Sequence, residues 1–136
     1  MTKNAHPEYD IHQAILAYLR LALPRALVMH VPNQVDAVGA NIARAIAKAK
    51  HMGMVPGFPD IMVLPFAHMP VMFFEVKSPK GRVSENQVEV MRQLVALGYR
   101  CAVVRSVDDV QAKLAEWAVW AHPPSVAVIE HRGAIT

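Results

Sequence analysis

A single cysteine stands in 136 residues, so an internal disulfide is impossible and a thiolate zinc site has too few sulfur ligands. That one, Cys101, lies in an apolar run after Arg100 and reads as core rather than as a nucleophile. No apolar run approaches the roughly 20 residues of a membrane span, and the opening MTKNAHPEYD lacks the apolar centre of a signal peptide. The expectation is a cytoplasmic protein with no membrane partner. There is no repeat, no low-complexity stretch and no linker long enough to divide the chain, so residues 1–136 read as one domain, with the tail 122–136 its least readable part. Charge is also scarce. Lys and Arg number 14 against 11 Asp and Glu, a net charge of +3, which suits a polyanionic partner without identifying one. What abounds is apolar: 54% of residues, enough to exclude disorder and to fill one core.

The apolar spacing of Ile11, Ala14, Ile15, Tyr18, Leu19 and Ala22 predicts an amphipathic helix from Pro7 to Leu23, ended by Pro24. ALVMHV at 26–31 predicts a buried strand broken by Pro32-Asn33. An alanine-rich helix is expected from about Ala37 to His51, with its cations near the C-terminal end where the helix dipole favours them. The stretch Gly53 to Pro59, with two glycines and two prolines, must be loop. IMVLP and VMFF then flank a short proline-containing turn and predict an antiparallel hairpin. After the turn Ser78-Pro79-Lys80-Gly81, a helix should start at Ser84 and end before Gly98, with Val88, Met91, Leu94 and Val95 as its apolar stripe. Tyr99 to Val104 is a further strand, and Ser106 to about Trp120 a final helix opened by Asp108 and Asp109. SVAVIE in the tail reads as an edge strand, a dimer contact or nothing ordered. The order α-β-α-β-β-α-β-α describes an α/β domain, a mixed sheet flanked by helices.

The informative residues sit at the ends of the hairpin. If it is symmetric about Ala67 and His68, residues whose numbers sum to 135 face one another, and Asp60 lies opposite Glu75. Alternation along the strand then puts Glu75 and Lys77 on one face and turns Val76 into the core. Two carboxylates and an ammonium meet at one edge of an apolar sheet. Like charges buried side by side need neutralising, and a hard divalent ion with oxygen ligands is the natural candidate. This is the chemistry of a metal-dependent nuclease.

The wider pattern resembles the VRR-NUC domain, a branch of the PD-(D/E)XK nuclease superfamily with a restriction-endonuclease-like fold. The likeness runs from about Glu8 to Asp109. It is carried by the glutamate opening the first helix, His30-Val31-Pro32-Asn33, and Met52-Gly53-Met54-Val55-Pro56-Gly57-Phe58-Pro59-Asp60. Glu75-Val76-Lys77, Val83-Ser84-x-x-Gln87, Gly98-Tyr99 and Val103-Val104-Arg105-Ser106 continue it. Stand-alone members in bacteria and their phages resemble Holliday junction resolvases, and larger members carry the domain in flap or crosslink-repair nucleases. The resemblance therefore implies DNA repair, a branched DNA substrate and a homodimer. Family members often carry a basic residue shortly after the His-x-Pro-Asn stretch. Here Gln34 to Ala43 is uncharged except for Asp36, leaving Arg44 as the candidate.

Asp60 and Glu75 are the expected ligands for Mg2+ or Mn2+, with the Val76 carbonyl as a third oxygen; the competing roles are an N-cap or exposed turn aspartate for Asp60 and a strand-end surface salt bridge for Glu75. Lys77 is expected to orient and deprotonate the attacking water or to stabilise charge on phosphorus. Ser84-x-x-Gln87 is a capping box in its own right, and the resemblance adds a role for Gln87 near the site. Glu8 is counted on the inward stripe of the first helix, where it either compensates the dipole or joins the metal shell, as the resemblance implies. His30 is either a core histidine or, with Asn33, a phosphate contact. Arg44, Lys48, Lys50, Lys80 and Arg82 are expected to hold the DNA backbone without reading bases. His12, His51, His68, His122 and His131 show no metal-ligand spacing and receive no role. Two other functions compete: a DNA-binding module with the nuclease fold that cuts nothing, and a hydrolase of small phosphoesters, which lacks a P-loop type glycine cradle.

Overall fold

The computed structural model describes residues 6–35, 37–66 and 68–119. The tail beyond, with its SVAVIE segment, and the single residues Asp36 and Ala67 lie outside the described residues. Four helices and four strands follow one another as expected: α1 (Pro7–Ala22), β1 (Leu27–His30), α2 (Ile42–His51), β2 (Ile61–Leu64), β3 (Met72–Val76), α3 (Glu85–Ala96), β4 (Arg100–Val104) and α4 (Val107–Glu116). The strands form one mixed sheet in the order β1-β2-β3-β4, antiparallel except for the parallel pair of β3 and β4. The hairpin register pairs Ile61 with Phe74, Met62 with Phe73 and Val63 with Met72, the pairing that symmetry about 67 and 68 predicts.

Alternation divides the sheet into two unequal faces. On one, Val28, Ile61, Val63, Met72, Phe74, Val76, Ala102 and Val104 form the main core with Ile15, Leu16 and Leu19 of α1 and Val110 and Leu114 of α4. On the other, Phe73 packs with Val90 and Leu94 of α3, and Met62 and Cys101 pack around them. Phe74 is fully buried, and removing a side chain of that size from water contributes about 1.5–3 kcal/mol. All five residues of β3 are buried, because the strand has neighbours on both edges and helices over both faces.

Local signals explain where the helices begin. Pro7 opens α1, with Glu8 and Asp10 in its first turn, and the Leu23 N–H closes it on the Leu19 carbonyl. The Ser84 hydroxyl accepts from the Gln87 N–H while the Gln87 side chain accepts from the Ser84 N–H, a complete capping box. Ser106 caps α4 through the Asp109 N–H.

Three expectations need correction. The second helix does not begin at Ala37: Gly39 takes φ 69° at the start of a short 3-10 turn over Gly39–Asn41, and regular helix starts at Ile42. The buried side of α3 is Val90 and Leu94, whereas Val88 and Val95 are more than half exposed, because the face carrying Gln87 is the one turned to the sheet. Glu8 is exposed rather than inward. The fully buried part of the α1 stripe begins at Ile15, with half-buried Ile11 packed against the core one turn earlier.

Candidate active site

The end of the sheet where β1 and β3 finish and β2 begins is also where the first turns of α1 and α3 lie. There the Val31 N–H donates to the Asp60 carbonyl at 2.7 Å, tying the start of β2 to the end of β1. Between the two helix starts opens a cleft of about 1110 Å³, lined among others by Glu8, His12, His30, Asn33, Asp60, Glu75, Lys77, Ser84 and Gln87. A second cavity of about 440 Å³ lies beside α2, lined by Ile42, Ile46, Lys50 and Met54 among others and, among the described residues, by no acidic side chain.

Glu75 is the only buried charged residue among those described, 2% exposed. Its Oε1 accepts from Gln87 Nε2 at 2.8 Å and lies 3.7 Å from Lys77 Nζ. Its Oε2 is buried without a hydrogen-bond partner among the described residues while the carboxyl is ionised, and when Glu75 is protonated the neighbouring Asp60 carboxylate can accept from it. Asp60 is held differently: its Oδ2 accepts the Val76 N–H at 2.8 Å. Burial first, and then the negative charge of Asp60, push the Glu75 carboxyl up to about 8, against the opposing pull of Lys77. The Cys101 thiol, on the same face of the sheet, is pushed up to about 12 by burial and next by Glu75. Cys101 is thus an inert core thiol, as expected.

These contacts give the motif residues physical reasons. Val76 sends its side chain into the main core, fully buried, while its amide orients Asp60. The Gln87 side chain closes the capping box and also donates to Glu75, which places it beside the carboxylates. Gly57, at φ 84°, lies so close to α3 that a Cβ would come within 2.6 Å of the Asn86 backbone. Only glycine lets the loop before Asp60 pack on the helix turn that carries Gln87.

The structure thus brings Asp60, Glu75, Lys77, Val76 and Gln87 together and places Glu8, His30 and Asn33 around the same cleft. Asn33 donates to the Phe58 carbonyl at 3.3 Å and so braces the loop before Asp60. His30 is exposed at the end of β1, which corrects its reading as a core histidine. Arg44, Lys48, Lys80 and Arg82 are exposed and outside the cleft lining, and Lys50 lines the smaller cavity. Sequence reasoning missed His12, whose ring meets that of His30 edge to face at 5.0 Å. Burial, then His30, hold His12 below the usual imidazole value, while Asp60 and Glu8 pull the other way. Its position four residues after Glu8, one helical turn on, was the available signal.

Among the described residues no three His, Cys, Asp or Glu side chains converge to enclose a metal ion. Two carboxylates, one with an orphaned buried oxygen, nevertheless fit a hard cation that retains several waters. Among the described residues no helix is long and apolar enough to cross a membrane.

The family model described as "VRR-NUC domain" matches residues 3–108. A solved structure described as "VRR_NUC domain protein" superposes with a TM-score of 0.60 at 17% identity, covering 85% of this chain and 90% of that one. No curated protein matches the sequence.

Proposed function

The chain belongs to the VRR-NUC domain family, and from that premise we propose that it is a DNA endonuclease dependent on Mg2+ or Mn2+, selective for branched DNA and active as a homodimer in the manner of a Holliday junction resolvase. The observation that carries the reading is the orphaned Glu75 Oε2, buried beside Asp60 with Lys77 at its flank. A carboxylate oxygen left unpaired in the interior is expensive. A bound cation removes that penalty.

Asp60, Glu75 and the Val76 carbonyl would hold the ion, with Glu8 across the cleft as a further oxygen donor. The ion supplies a Lewis acid and lowers the pKa of bound water. The protein groups do the rest. Gln87 and Lys77 occupy Glu75 Oε1 and so present Oε2, and the Val76 amide fixes the direction of Asp60. The Lys77 ammonium orients the attacking water and offsets charge growing on the phosphoryl oxygens. Exposed Arg44, Lys48, Lys50, Lys80 and Arg82, with His30 and Asn33 nearer the centre, suit phosphates rather than base edges, so selectivity rests on DNA shape. A domain of this size covers little of a branched substrate, and a two-fold pair would set two centres on opposed strands.

The test is cleavage of labelled four-way junction, flap, linear duplex and single-stranded DNA with magnesium or manganese, together with the sedimentation mass of protein alone and on DNA. Paired, symmetric cuts in the junction by a dimer are expected. Equal cleavage of every substrate by a monomer would overturn the selectivity and the assembly, and binding without cleavage would favour the silent module.

A further inference from the structure

We propose that Arg105 is a positioning residue that locks the turn following Lys77 and so sets where Lys80 and Arg82 meet the DNA. What the turn grips rests on the nuclease reading; the lock itself does not. Ser78-Pro79-Lys80-Gly81 closes on itself through the Gly81 N–H and the Ser78 carbonyl at 3.0 Å. From the neighbouring strand end, Arg105 Nη1 donates to the Ser78 carbonyl at 2.6 Å and to the Gly81 carbonyl at 2.7 Å. One nitrogen thus ties both ends of the turn, and the Pro79 carbonyl lies 3.5 Å from it.

The arginine is itself held from behind. Its N–H donates to Asp109 Oδ2 at 2.8 Å in the first turn of α4, and the Lys77 N–H donates to the Val104 carbonyl at 3.0 Å. A continuous chain of contacts runs from α4 through Arg105 to the turn, and along the backbone to Lys77. Among the described residues the ion pairs are Lys77 with Glu75, Arg92 with Glu89 and Lys113 with Glu116. Arg105 therefore meets carbonyls through its guanidinium, behind a turn that carries two more cations. Lys80 and Arg82 are both exposed, so their reach is set by the backbone that the guanidinium fixes. A planar guanidinium holds two carbonyls in one direction, which a flexible ammonium does not.

Two readouts decide the matter. The first is the Gly81 amide by NMR hydrogen exchange, which needs no DNA: Arg105→Ala should lose its protection while amides of α3 and β4 keep theirs. The second is binding of a labelled four-way junction in EDTA across a salt series. Arg105→Ala should weaken binding about 10-fold and flatten the salt slope by roughly two phosphate contacts. Added to Lys80→Ala/Arg82→Ala, the same change should cost less than about 2-fold, because the contacts it positions are already gone. Arg105→Lys, with the charge kept and the fork lost, should recover only part of the affinity. An unchanged Gly81 amide, additive losses, or full rescue by lysine would each overturn the proposal. Wild-type protein that binds no DNA would refute the nuclease reading and the DNA part of the proposal, and the Gly81 amide would still decide the lock.

Discussion

Strand β3 is buried on both sides, and its two sides are composed for different ends. Met72, Phe74 and Val76 face α1 and α4 in a core without a charged group, while Phe73 and Glu75 face α3, with Lys77 following at the strand's end. The difference is one of purpose at equal burial. Shortening a side chain on the first face opens a cavity and weakens the fold, whereas neutralising the charge on the second should relieve the fold and, on the proposed nuclease reading, remove the chemistry. The residues that hold the fold and those proposed to carry the chemistry thus alternate along the strand, about 3.3 Å apart.

The contrast is broken most strongly at Phe74, which also packs against Trp117 with ring centroids 5.7 Å apart. Phe74→Ala should lower unfolding free energy by about 4 kcal/mol, a large share of the roughly 5–15 kcal/mol a domain has, measured by urea unfolding. Glu75→Gln should do the reverse. A carboxyl whose value is raised from 4.5 to about 8 keeps its proton in the folded state where the unfolded chain has released it. Ionisation therefore opposes folding, and in EDTA the wild type should lose stability as pH rises from about 4.5 to about 8. Glu75→Gln should show no such slope and should be the more stable protein at pH 8, by on the order of a few kcal/mol. Thermal unfolding across that range measures it, and magnesium should stabilise the wild type alone.

Gly57→Ala tests whether the loop before Asp60 must touch α3. The added methyl meets backbone at φ 84°, so a loss of about 1–3 kcal/mol is expected, with cleavage falling further than stability explains. The smallest stability effect belongs to Gln87→Glu. Glutamate preserves the capping box but places a third carboxylate where Gln87 Nε2 now donates to Glu75. The melting temperature should change little and metal-dependent cleavage should fall on the order of 10-fold or more.

The register of the hairpin was legible because two apolar runs of period two flank a symmetric turn, and from it the facing of Asp60 and Glu75 follows. Helix starts were legible where a residue announces them: Pro7, Ser84 and Ser106. The start of α2 was not, since no side chain caps it and a glycine bend stands before it. The rotation of α3 escaped because valines occupy its solvent side, and the contact that orients the helix, Gln87 with Glu75, is between separate elements. The Arg105 lock needs the parallel pairing of β3 with β4, which no local pattern encodes. His12 reaches the cleft through the packing of α1 against the sheet, and its spacing to other histidines carries no sign of it.

The most direct test of the carboxylate pair as a catalytic metal centre is the single-turnover rate of phosphodiester hydrolysis on a labelled four-way junction, for wild type, Asp60→Ala and Lys77→Ala, with magnesium and with EDTA. Cleavage by the wild type that needs the metal, and that falls on the order of 100- to 1,000-fold in each variant while all three proteins stay folded and bind the junction, is the predicted result. Cleavage surviving in Asp60→Ala, or a folded wild type that binds the junction and leaves it whole with every metal, would contradict it.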